Sequence, residues 1–74
     1  MGRSEWVQLL SDKDLKKYFE ITREFEYTGI VPNEMREILK TEYNQCSYLE
    51  RGVAFCIDIW KEAAHRWATV SYTH

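Results

Sequence analysis

Glu62 and His65 stand three residues apart in the stretch EAAH. On a helix that spacing stacks two ligands one turn apart, and paired copies of a Glu-x-x-His motif hold di-metal sites inside helical bundles. A single copy is present here, and both side chains fall on the polar side of the surrounding pattern, away from any bundle interior. Solvated surface is the reading this placement favours, with Glu62 and His65 the residues a metal would use.

The other chemistry-bearing residues lead away from catalysis. Cys56 sits on the apolar side of the same stretch, and His65 lies two and a half turns away on the other, so no thiol–imidazole pair forms. There is no Ser/His/Asp set and no glycine-rich phosphate loop, and 74 residues leave little room for an enclosed pocket. No catalytic residue, cofactor or small-molecule substrate is expected. Cys46 and Cys56 are about 15 Å apart by helical rise, beyond disulfide reach. Without a CxxC pair or a Cys/His cluster they do not suggest zinc either, and Cys56 reads as a small buried hydrophobe in a reducing compartment.

Three helical patterns position these residues. LSDKDLKKYFEITREFEYTG opens with Ser11 as an N-cap and Asp14 in the third helical position, where acid suits the helix dipole. Leu15, Tyr18, Phe19, Thr22 and Phe25 share one face, Lys16, Lys17, Glu20, Arg23 and Glu24 the other, and Gly29 supplies a left-handed stop. IVPNEMREILKTEY reopens helix at Pro32, with Asn33 as a cap and Met35, Ile38, Leu39 and Tyr43 as the apolar stripe. Glu42 falls in that stripe, where an unpaired buried carboxylate would be costly, so the open helix end or an Arg partner is expected for it. Ser47 and Glu50 then form a capping box for a third helix. Ahead of all three, Trp6, Leu9 and Leu10 suggest a short turn or helix that caps the core.

The third helix carries a seam. Leu49, Val53, Cys56, Trp60, Ala63, Trp67 and Val70 recur at steps of four and three, and Tyr48, Phe55 and Ile59 form a second stripe beside them. Coiled coils share that spacing, but Trp60 and Trp67 are too large for ordinary two-stranded seam positions. Most of the seam, Trp60 included, is therefore expected to pack inside the chain. The second stripe and the C-terminal end are left for a partner, because preceding helices of about 16 and 11 residues cannot span a third of about 20. The residues expected at an interface are Tyr48, Phe55, Ile59, Trp67, Val70 and Tyr72, while the terminal TVSYTH is expected to fray.

The pattern Leu10-Ser11-Asp12, Leu15 and Phe19, followed by Met35, Ile38, Leu39 and Glu42, resembles the helical hairpin of the Sda family of small sporulation-checkpoint inhibitors of sensor histidine kinases. The resemblance covers about 35 residues of the first 43, and it implies a helical hairpin and an inhibitory, protein-binding role. The resembling family ends where the third helix here begins.

Charge narrows the partners. A formal net charge of −2 with scattered Lys and Arg offers no field for nucleic acid or an anionic membrane. If the second and third helices were a helix-turn-helix, the leading exposed residues would be Glu50, Arg51, Ala54 and Asp58, an acidic set poorly matched to phosphate. No stretch approaches a membrane span and the start lacks a secretory apolar region, so a cytoplasmic location is expected. With 45% apolar and 15% aromatic residues the chain can build a core, yet so short a domain is thinly stabilised and association is a common supplement.

The sequence thus predicts an all-α, compact three-helix domain over residues 1–74, a hairpin plus a longer helix, with helices at about 12–27, 33–44 and 48–69. The expected function is non-catalytic protein–protein interaction, as an inhibitor or adaptor of a larger bacterial or phage protein, as a homo-oligomer, or both. The alternatives are a helix-turn-helix DNA-binding regulator and a metal-binding bundle through Glu62 and His65.

Overall fold

The computed structural model describes residues 5–72, with side chains to residue 70. Its described residues form four helices and no strand: α1 (Glu5–Gln8), α2 (Asp12–Thr28), α3 (Asn33–Glu42) and α4 (Tyr48–Tyr72). The three long helices confirm the all-α reading, and the expected N-terminal turn is the short helix α1. At its far end α4 runs through Tyr72 where fraying was expected, and the Thr69 hydroxyl donates to the His65 carbonyl there.

Local signals account for the boundaries. The Asp14 amide donates to Ser11 Oγ at 3.2 Å, and Gly29 ends α2 at φ 73°, its amide returning to the Phe25 carbonyl. Pro32, not Asn33, holds the N-cap position of α3: its extended backbone precedes the first turn, and it supplies no side-chain cap. The α4 capping box forms as expected, with the Glu50 amide on Ser47 Oγ at 3.3 Å and the Ser47 amide on Glu50 Oε2 at 3.1 Å.

Helix α4 is the hub, and α1, α2 and α3 each pack chiefly on it. The first two long helices are therefore not a self-contained hairpin, although Lys17 and Glu34 pair at 3.2 Å between them. Helix α2 lies antiparallel to α4. Phe25 meets Gly52, the Cys56 thiol points to the Thr22 carbonyl at 3.9 Å, Phe19 meets Trp60 and Asp12 meets Arg66. On the other flank, Trp6 stacks on Phe55 at 5.5 Å while Tyr18 sets its edge against both rings.

The core comprises Val7, Leu15, Phe25, Met35, Leu39, Tyr43, Phe55, Cys56, Ile59 and Ala63. Two expected interface residues, Phe55 and Ile59, are fully buried at its centre. The reason is geometric. With α2 on one side of α4 and α1 and α3 on the other, the buried arc is centred between the two apolar stripes. Gly52, Phe55, Cys56, Ile59 and Ala63 turn inward, and the outer members of the seam rotate into solvent. Trp60, expected in the core, is 40% exposed, and Glu42 is exposed at the end of α3.

Candidate functional site

The outward rotation leaves a stripe along α4. Leu49, Val53, Ile57, Trp60, Ala64 and Trp67 succeed one another at steps of four, four, three, four and three, and all six are exposed. Leu49 and Trp67 at its ends are each 68% exposed. The sequence seam contained Leu49, Val53, Trp60 and Trp67; most of it, Trp60 included, was expected to pack inside the chain, and of these four only Trp67 was expected at an interface. Ile57 and Ala64 were missed, although Ile57 lies one turn after Val53 and Ala64 one turn after Trp60.

Trp60 is the best-anchored member. Its ring meets Phe19 edge-on at 4.3 Å, and its indole N–H donates to Glu26 Oε1 at 3.1 Å. Trp67 and Val70 border a groove of about 530 Å³ between α2 and the C-terminal half of α4, floored by Leu15, Phe19 and Ala63. Lys16, Glu20 and Arg23 form its polar rim. Along the other margin of the stripe run Glu50, Asp58 and Lys61. Both margins therefore carry both signs of charge.

The remaining expected interface residues separate. Tyr48 lies on the far side of α4, half-exposed beneath the Arg51 guanidinium at 5.1 Å, and so does not join the stripe. Tyr72 ends the helix, and its side chain lies outside the described residues.

Glu62 and His65 do not converge. Glu62 accepts from Arg66 Nε at 3.2 Å and is largely buried, whereas His65 faces solvent. Arg66 also donates to the Gln8 carbonyl at 2.9 Å and the Val7 carbonyl at 3.4 Å, and pairs with Asp12 at 3.6 Å. The Glu62–Arg66 pair is a half-buried latch on the C-terminus of α1, placed where cations are favoured. Among the described residues no three His, Cys, Asp or Glu side chains come together to hold a metal.

The leading turn of α4 presents little to phosphate. Arg51, its cation, is folded back, with Nε donating to the Cys46 carbonyl and a terminal nitrogen to the Asn44 carbonyl at 3.2 Å. The Ser47 backbone amide and hydroxyl hold the Glu50 carboxyl below its ordinary range, so the exposed tip stays anionic. Burial, with a smaller contribution from the Glu26 charge, pushes the Cys56 thiol up to about 12, which keeps it neutral and unreactive.

Among the described residues no helix is long and apolar enough to cross a membrane. No protein-family model, curated protein or solved structure matches this chain.

Proposed function

We propose that this chain acts by docking the outer face of α4 on a protein partner, without catalysis. The supporting observation is the continuity of the stripe. Two tryptophans and three branched aliphatic residues lie on one line of α4, open to solvent along about five turns. Isolated exposed apolar residues are ordinary, but a continuous line of large ones bordered by charge is characteristic of an interface. Trp67 is the natural anchor, because large rigid side chains dominate interface energies and this one is the less committed to its own fold. An inhibitor or adaptor role suits such a face.

Site-specific photo-crosslinking in the expressing cell tests the proposal. A photoreactive residue at Ile57 or Trp67 is expected to give discrete adducts. The same residue at Glu37, exposed on α3, is expected to give none. Equal yields at the three positions, or none at any, would contradict docking through α4.

A further inference from the structure

We infer that the occupant of the α4 stripe is a second copy of this chain, with the two α4 helices antiparallel about a two-fold axis beside Asp58 and Ile59. The inference rests on the docking reading above and supplies its partner. Reversing the stripe about that point maps Leu49 onto Trp67, Val53 onto Ala64 and Ile57 onto Trp60. Each tryptophan then meets an aliphatic side chain, and the smallest residue, Ala64, meets Val53. The layers are of even thickness, as helices packed about 8–10 Å apart require. A parallel pair would instead set Trp60 on Trp60 and Trp67 on Trp67, with a void between them where Ala64 faced itself.

The margins and the area agree with self-pairing. Glu50, Asp58 and Lys61 on one side, with Asp58 already held by the Tyr43 hydroxyl, and Lys16, Glu20 and Arg23 on the other, offer both signs of charge. A copy of the same face can complement that mixture, which a uniformly charged partner cannot, and a net charge of −2 opposes association weakly. Weighted by exposure, the apolar stripe presents on the order of 600 Å² per copy, close to the about 800 Å² that each partner contributes to a standard interface. The groove floored by Leu15, Phe19 and Ala63 lies beside Trp67, where the second copy's Leu49 arrives. Helices α2 and α4 with their symmetry mates then form a four-helix layer, the isologous arrangement commonest among dimers.

The test joins sedimentation of the unaltered chain with cysteine linking on a Cys46→Ser background. Chains carrying Val53→Cys and Ala64→Cys, one of them size-tagged, are mixed and treated with a short bis-maleimide. The mixed product is expected to exceed either self-linked product by about tenfold, and the unaltered chain to sediment as a dimer. Val53→Cys linking chiefly to itself would overturn the antiparallel arrangement. A chain monomeric up to millimolar concentration would overturn self-pairing. In that case, Ile57 photo-adducts of a mass other than twice the chain would leave docking standing with a different partner, and their absence would remove both proposals.

Discussion

The ring of Phe25 ends against the backbone of Gly52, so closely that a Cβ at residue 52 would fall 2.6 Å from Phe25 Cζ. Glycine in mid-helix sacrifices helix propensity, and here the loss lets α2 approach α4. Gly52→Ala gains about 1 kcal/mol of propensity but forces a buried, rigid ring to move, at a cost of about 1–3 kcal/mol. A net loss of stability is expected in urea unfolding. In a Phe25→Leu background the clash is relieved, and Gly52→Ala is expected to become neutral or stabilising.

Arg66 ties α1 to the rest of the fold through the Val7 and Gln8 carbonyls, Glu62 and Asp12. Arg66→Ala leaves the half-buried Glu62 carboxylate without its partner, and a loss of about 1–3 kcal/mol is expected. Amide exchange should locate the damage. Residues 5–10 and the Trp6–Phe55 stack are expected to lose protection first, while the α2–α4 contact at Thr22 and Cys56 keeps its own.

The two thiols should separate in reactivity and in pH dependence. Cys46 is partly exposed and is expected to react with a disulfide reagent in the native state, whereas Cys56 is expected to react only on unfolding. Cys56 has its folded pKa raised to about 12 from 9.0. Its contribution to stability is therefore full below 9.0 and declines as the pH rises towards 12, because the unfolded state releases the proton first. Cys56→Ala is expected to show a shallower alkaline loss of stability than the unaltered chain.

The two seam tryptophans should behave unequally. Trp60 rests on Phe19 and bonds Glu26, so Trp60→Ala is expected to cost about 1–3 kcal/mol, less than the about 3–5 kcal/mol of a fully buried aromatic such as Phe55. Trp67→Ala is expected to cost under about 1 kcal/mol while weakening association most. Chemical unfolding and sedimentation on the same samples separate the two effects.

Much of the fold was legible because its signals are local. Ser11, Gly29 and the Ser47–Glu50 box satisfy helix-end amides and carbonyls from within four residues, so the boundaries follow from types and spacing. The inward face of α4 was not legible in the same way. Its two apolar stripes have equal claim to burial by period, and only the positions of α1, α2 and α3 around the helix decide between them. Phe55 and Ile59 were thus assigned outward and Trp60 inward. The Arg66 latch escaped for a related reason, since Val7 and Gln8 offer carbonyls, which no residue type announces. The resemblance of the first two long helices to a known hairpin likewise reflected capping and amphipathic spacing, while their packing is chiefly on α4.

Hydroxyl-radical footprinting of the chain inside the expressing cell tests the docking surface most directly. Tyr27 on α2, 93% exposed, serves as the internal reference for Trp67, itself 68% exposed. If α4 is docked in its working state, oxidation of Trp67 relative to Tyr27 is expected to fall several-fold in the cell compared with the dilute purified chain, with Leu49 and Ile57 protected alongside it. An unchanged ratio, with all three residues as reactive as in the dilute chain, would contradict the proposal that this face is where the protein acts.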